Sequence, residues 1–219
     1  MENQAFWNKN WAKWKDAPKP SLFAEKALKI MKIKDLHTVL DVGCGKGENS
    51  LLFAENGMHT TALDISDTAL ESVERLRRER IKTLCADIVS ADLGREKYDA
   101  VFACLSLHYF DDCTTRKIIG KLYDALTADG ALFVRCKSTE DPLYGKGERV
   151  GKDMYRFGYV RHFFSPEYMR DVLSAFPDVH ITETREDYFG DCAFVDAVAM
   201  KIDGGQASCR IVPPTGLRF

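Results

Sequence analysis

Apolar positions along this chain alternate between two rhythms. Five short apolar runs have strand length: "HTVLDV" at 37–42, "HTTALDI" at 59–65, "KTLCADI" at 82–88, "YDAVFACLSL" at 98–107 and "ALFVRCK" at 131–137. Segments of helical period separate them. Ser21 is placed to cap a helix over Leu22–Met31, and Glu48–Glu55 reads as a second. Asp67–Arg80 reads as a charged helix with Leu70, Val73 and Leu76 turned inward, and Thr114–Ala128 as a further one. Strands alternating with helices predict βαβ units and a mostly parallel sheet, doubly wound because such crossovers are right-handed. The end of the chain differs. "DVHITETRED" and "CAFVDAVAMKI" are separated by a loop too short for anything but antiparallel strands. The expected fold is α/β: a doubly wound, Rossmann-like, mostly parallel seven-stranded sheet with a terminal antiparallel strand.

Two segments stand outside that rhythm. "FWNKNWAKWK" at 6–15 holds all three tryptophans, Trp7, Trp11 and Trp14. Their i, i+4, i+7 spacing puts them on one face of a helix over Phe6–Lys15, which Pro18 and Pro20 stop. That face could be core, a membrane foot, a partner surface or a lid over a ligand. Residues 138–164 are too long for a βα turn and show no clear period. Their aromatic and cationic residues, among them Tyr144, Tyr155, Arg156, Tyr159, Arg161 and His162, favour a functional loop. The expected organisation is a helical cap at 1–36, one domain at 37–203 carrying that insertion, and an unassigned tail at 204–219.

Composition narrows the classes. The 219 residues suffice for a full core without disulfides or metal. A net charge of −2 argues against a surface devoted to nucleic acid. The charged N-terminus lacks an apolar stretch and no run of about 18 apolar residues occurs, so neither a signal peptide nor a membrane span is expected. Seven cysteines, an odd number without a CxxC, read as small hydrophobes in a reducing cytoplasm, with Cys85, Cys104, Cys136 and Cys192 in or next to strand-like runs. The cationic run "ERLRRER" at 74–80 reads as a solvated helix end.

The most informative segment is "VLDVGCGKGENS". A strand ends at Val42, glycines follow at 43, 45 and 47, and a helix begins near Glu48. Ligands of doubly wound sheets bind at such strand ends. Lys46 is followed by Gly47 rather than Ser or Thr, so a Walker loop fails, and the glycine spacing fits a dinucleotide fingerprint poorly. Asp41 and Glu48 already occupy the positive helix end, which disfavours a phosphate and suits a cationic ligand. Asp64, 21 residues after Gly43, ends the second strand where a carboxylate accepts from ribose hydroxyls. Asp87 follows the third strand and could accept from an adenine amino group.

Taken together, "VLDVGCGKG", "ALDIS", "CADI", "YDAVFACLSLHYF" and "ADGALFVRCKS" resemble the class I S-adenosylmethionine-dependent methyltransferases, over roughly residues 37–137. More narrowly the chain resembles the small single-domain methyltransferases of the tellurite-resistance and thiopurine type. The resemblance implies S-adenosylmethionine as cofactor, with Asp41, Gly43, Cys44 and Gly45 around the methionine moiety. It implies Asp64 on the ribose, Ile65 beside the adenine, Asp87 and Ile88 at the adenine edge, and Cys104 and Leu105 under the cofactor. Related enzymes cover the cofactor with an N-terminal aromatic helix, which adds Trp7 and Trp11, while Trp14 is expected to pack.

Methyl transfer from a sulfonium is an in-line displacement, so the protein mainly positions reactants and excludes water. A base is needed only for an acceptor that arrives protonated. Candidates for that part are His108, Tyr109 and His162, with Tyr155, Arg161 and His162 toward the acceptor; packing or loop-anchoring roles are the alternatives. Arg161 would favour an anionic acceptor. The expected function is methylation of a small molecule, with no metal, nucleic-acid or membrane partner. The alternatives are a non-catalytic protein that binds S-adenosylmethionine and a nicotinamide-dependent oxidoreductase. The sequence "CLSL" replaces any "NPPY"-type tetrapeptide after the fourth strand.

Overall fold

A computed structural model describes residues 2–13, 19–187 and 190–202. Trp14, Cys209 and the tail at 204–219 lie outside the described residues. The strands β1 (Thr38–Val42), β2 (His59–Asp64), β3 (Ile81–Cys85), β4 (Tyr98–Cys104), β5 (Leu126–Lys137), β9 (Asp178–Asp187) and β10 (Asp191–Met200) form one sheet in the order β3-β2-β1-β4-β5-β10-β9. The first five are parallel, and β10 runs antiparallel between β5 and β9. The last strand of the chain thus enters one place in from the edge. The order reverses between β1 and β4, and that switch point opens at the carboxyl ends of both strands.

Successive residues of β1 serve opposite faces. Leu40 packs with Val101, Leu132, Val134 and Val195 beneath α5 (Asp112–Ala125) and α6 (Pro166–Val172). Val39 packs with Phe102 and Phe133 beneath α2 (Leu22–Ile33) and Phe53 of α3 (Glu48–Glu55). The helix α4 (Asp67–Arg75) closes a smaller cluster of Ala62, Leu70, Val73 and Cys44. Among the described residues, no helix is long and apolar enough to cross a membrane.

Four expectations need correction. The N-terminal helix α1 runs over Glu2–Trp11, earlier than Phe6–Lys15. The helix α4 stops at Arg75 instead of Arg80, because Arg77 adopts φ 48° and turns the chain toward β3. The helix α5 starts at Asp112, two residues early, because the Asp111 carboxylate caps the Thr114 amide at 2.8 Å. Cys85 is exposed, unlike the buried Cys136 and Cys192. The aperiodic segment 138–164 also contains regular structure: β6 (Glu148–Gly151), β7 (Met154–Phe157) and β8 (Tyr159–His162) form an antiparallel sheet of their own.

The antiparallel junction holds a buried charge cluster. Arg135 of β5 is 1% exposed. Its guanidinium donates to Asp196 of β10 at 2.6 and 2.7 Å and to Glu186 of β9 at 2.8 and 2.9 Å. Phe23 and Phe194 lie 5.0 and 4.6 Å from it. Removing one partner of such a group strands the other charge at a cost of roughly 3–5 kcal/mol. Asp196→Ala should therefore lower the unfolding free energy by about 3 kcal/mol and the melting midpoint by about 6–12 °C. Glu71→Ala, which breaks an exposed pair with Arg75, should stay within about 0.5 kcal/mol. Urea denaturation checks both, and equal effects would refute the clamp.

Candidate functional site

The site begins where β1 ends. Gly43, Gly45 and Gly47 have φ of 70°, 56° and 84°, so three left-handed residues fold the chain back onto β2. The amides of Gly43 and Cys44 both donate to the Leu63 carbonyl, at 2.8 and 2.9 Å. Space demands glycine as well: a Cβ at Gly43 would lie 2.6 Å from Cβ of Ser106, and one at Gly45 would lie 2.6 Å from the Trp11 ring.

Three carboxylates gather at this loop. Asp64 spans it: Oδ2 accepts from the Gly45 amide at 2.9 Å and Oδ1 from the Ser66 amide at 2.8 Å. Asp41 is 1% exposed and accepts from the Ser50 hydroxyl at 2.6 Å. Glu48 opens α3, and its buried Oε2 has no hydrogen-bond partner among the described residues. Burial pushes the Asp41 carboxyl up to about 7, against the Ser50 bond, with the Asp64 charge adding to the rise. Burial likewise raises Glu48 to about 8. Asp64 is raised by burial against the two amide bonds. Three carboxyls thus share this loop, all raised by burial, and one of them keeps a buried oxygen without a partner among the described residues.

Across the switch point, β4 ends in a tight turn. Leu105 takes φ 57°, a strained value for this residue, and its amide donates to the Arg135 carbonyl at 2.8 Å. The 3-10 turn Leu107–Tyr109 follows. His108 is 2% exposed, its ring is 4.4 Å from that of Tyr109, and its Nδ1 lacks a partner among the described residues. Its pKa is held well below the ordinary histidine value, first by burial and then by Arg161, Lys137 and His162. Strand β8 packs against this turn. It places Tyr159 5.5 Å from Tyr109, ring centre to ring centre, while the Arg161 guanidinium donates to the Tyr159 hydroxyl. His162 is buried, its ring 4.6 Å from that of Tyr168, with Nδ1 also unpartnered among the described residues.

The helix α1 roofs both halves. Trp11 lies on the open face of Gly45, and Trp7 meets Tyr109 edge-on at 4.7 Å. Asn8 accepts from the Ser66 hydroxyl at 2.6 Å, and Gln4 reaches Cys85 at 3.8 Å. The tryptophan face of α1 thus lies against the strand ends.

The structure thus brings together Trp7, Trp11, Asp41, Gly43, Cys44, Gly45, Asp64, His108, Tyr109 and Arg161 around one switch point. Other candidates have partners of their own. The Asp87 carboxylate caps a turn through the Val89 amide at 2.9 Å, and Ile88 is buried in the α5-side core. Ile65 offers its carbonyl to Cys85. Cys104 faces α2, 3.9 Å from the Ser21 hydroxyl. Tyr155 packs with Tyr144 and Phe163, in a separate aromatic group. Ser66, Asn8, Ser106 and Tyr159 were not singled out as site residues. Ser66 had a readable signal, since it precedes Asp67 as a helix cap.

Strand order and glycine loop define the Rossmann-like fold of the class I S-adenosylmethionine-dependent methyltransferases. Residues 39–130 match the family described as a methyltransferase domain. Residues 39–130 thus match a methyltransferase domain by sequence, on a fold shared with solved S-adenosylmethionine-dependent methyltransferases. An uncharacterized methyltransferase of Mycobacterium tuberculosis is 36% identical over 97 residues, covering 44% of this chain and 48% of that protein. The phosphoethanolamine N-methyltransferase 1 of Triticum aestivum is 32% identical over 103 residues, covering 45% of this chain and 21% of that protein. The chain spans about half or less of the length of these relatives. Among solved structures, the 1,6-didemethyltoxoflavin-N1-methyltransferase of Burkholderia thailandensis, with bound 1,6-didemethyltoxoflavin and S-adenosylhomocysteine, has the same fold: TM-score 0.70 at 18% identity, covering 92% of this chain and 86% of that one.

The raised carboxyls make stability depend on pH. In the unfolded chain these groups lose their protons near pH 4, while the folded protein keeps them to about 7 and about 8. The folded state binds more protons across that window. The stability that these two groups contribute is therefore full below pH 4 and falls as pH rises through the folded values. Glu48→Gln should remove more than about 1 kcal/mol of the difference between pH 5 and pH 8.5. Chemical denaturation at both pH values measures it; an unchanged difference would refute the assignment.

Proposed function

We propose that this chain transfers a methyl group from S-adenosylmethionine to a small-molecule acceptor by in-line displacement. The observation that carries the reading is the loop Gly43–Gly47, faced by three buried carboxyls and roofed by an indole. When bound, the cofactor supplies a methyl group on a positively charged sulfur. Asp41, Cys44 and the glycine backbone would hold its methionine end, and Asp64 the ribose through oxygen lone pairs that Gly45 and Ser66 leave free. Asp87 and Ile88 would reach the adenine edge, with Ile65 beside it and Cys104 and Leu105 beneath. Trp11 would exclude water and present a π-face to the cation.

The acceptor would enter beside the β4 turn. His108, held uncharged and with Nδ1 unpartnered among the described residues, can accept a hydrogen bond from an acceptor that arrives as a neutral acid and so orient it. Tyr109 and His162 would complete that wall, with Arg161 as the cation facing the acceptor. Tyr155 would contribute only through its strand, as the cross-strand partner of Arg161. Free cysteines throughout the described residues support a reducing, cytoplasmic setting.

Calorimetry with S-adenosylmethionine and a methyl-release assay across thiols, phenols, amines, carboxylates and metalloid oxyanions test the reading. Trp11→Ala should weaken cofactor binding about ten-fold, as expected for losing an aromatic contact worth about 1–2 kcal/mol. Cofactor titration should also change tryptophan fluorescence. Binding without turnover on any acceptor would favour the non-catalytic alternative, and binding of a nicotinamide dinucleotide alone would overturn the proposal.

A further inference from the structure

The turn that follows β3 is held from outside by a single ammonium. Lys121 of α5 donates to the carbonyls of Ile88, Val89 and Ala91 at 2.9, 2.7 and 3.0 Å. An ammonium has three protons, and these bonds use all of them. Three carbonyl oxygens within 3.0 Å of one point repel each other unless a cation stands between them, so the turn keeps this path only while Lys121 is there. Charge-assisted bonds of this kind are the strong class. Helix α5 is a firm base for them: Ile118, Ile119 and Leu122 are buried and share a core cluster with Ile88.

Inside the turn, Asp87 supplies the other bonds. Its carbonyl accepts from the amides of Ser90 and Ala91 at 3.0 and 2.8 Å, and its Oδ1 accepts from the Val89 amide at 2.9 Å. Its Oδ2 has no donor among the described residues. Val89 joins the two sides: its carbonyl takes a Lys121 proton, and its amide fixes the Asp87 carboxylate. The turn also abuts the anchor of the glycine loop, since the Ala86 amide donates to the backbone carbonyl of Asp64 at 3.0 Å.

On the methyltransferase reading above, in which Asp87 and Ile88 reach the adenine edge, we infer that Lys121 is the positioning residue for the base of the cofactor. It acts without touching the ligand. Through Val89 it sets the Asp87 carboxylate to accept from the adenine amino group, and its loss releases the turn that reads that group. Lys121 therefore governs selectivity for the base: hypoxanthine carries a carbonyl oxygen in place of the amino group and would set that oxygen against the carboxylate. The methionine and ribose end does not depend on Lys121, because Asp41, Gly45 and Asp64 are held by bonds of their own.

The test uses calorimetry on the full chain with S-adenosylhomocysteine and its hypoxanthine counterpart, S-inosylhomocysteine. The parent should favour the adenine ligand about ten-fold or more, as expected for a charged acceptor deprived of its donor. Lys121→Met should shrink that ratio to about three-fold or less, by weakening the adenine ligand while the hypoxanthine ligand stays within about two-fold of its parent value. Lys117→Met removes an exposed lysine of the same helix and should change neither. Hydrogen exchange at the Val89, Ser90 and Ala91 amides should be faster in Lys121→Met than in the parent. If Lys121→Met fails to fold, Lys121→Gln, too short to reach the three carbonyls, should show the same two changes. Equal weakening of both ligands would mark a merely structural role and overturn the inference. An unchanged ratio, unchanged exchange or a parent without adenine preference would overturn it too. Failure of the parent to bind S-adenosylhomocysteine at all would instead overturn the methyltransferase reading on which it rests.

Discussion

The site depends on one buried carboxylate. Asp64 ends β2 and places one oxygen on the Gly45 amide and the other on the Ser66 amide. It thereby fixes two loops that follow different strands. The glycine loop is left-handed at alternate residues, 43, 45 and 47, with Cys44 packed into the α4 cluster, and the Asp64 carboxylate anchors its path from outside. Ser66 in turn caps α4 through its hydroxyl, at 3.1 Å from the Ala69 amide, and donates that same hydroxyl to Asn8 of α1. A single chain of hydrogen bonds thus runs from β1 through β2 to the roof. The amide bonds also oppose the penalty of burying the carboxyl.

A second constraint acts at the far side of the sheet. Inserting β10 antiparallel beside β5 places Arg135 opposite Asp196 in register, with Glu186 one strand further. The carbonyl of the same Arg135 accepts the Leu105 amide, so the clamp that closes the antiparallel edge also holds the strained turn after β4. The sheet edge and the turn after β4 are linked through one residue.

The parts legible in the sequence were those with one buried face and clean caps. Glu48–Glu55 and Asp178–Asp187 fall where their patterns place them, and the five parallel strands are all present. The glycine loop was legible because left-handed turns and close backbone approach leave few other residue choices. Helix ends were less so: the turn at Arg77 follows from the need to re-enter the sheet, not from any local breaker. The insertion was illegible for a different reason. Tyr159 and Arg161 face the aromatic group, while His162, the next residue along, is buried against Phe164 and Tyr168. With both faces of β8 covered, no alternation of polar and apolar positions remains to betray a strand.

The N-terminal helix shows how a surface can be specific without being apolar. The residues that reach the strand ends are Gln4, Trp7, Asn8 and Trp11, spaced i, i+3, i+4, i+7. Two are amides and two are indoles, so a reading of tryptophans alone finds only half the stripe. Ten residues make a marginal helix in isolation, and here its order comes from docking. Trp7 and Trp11 are about 6 Å apart along the axis, one touching the β4 turn and the other the β1 loop. One short element therefore covers both sides of the switch point at once. The amides supply the directional bonds that set its register, and the indoles supply the buried area. Neither half would suffice: indoles alone could slide over the glycine loop, and two hydrogen bonds alone would not hold a ten-residue helix against water.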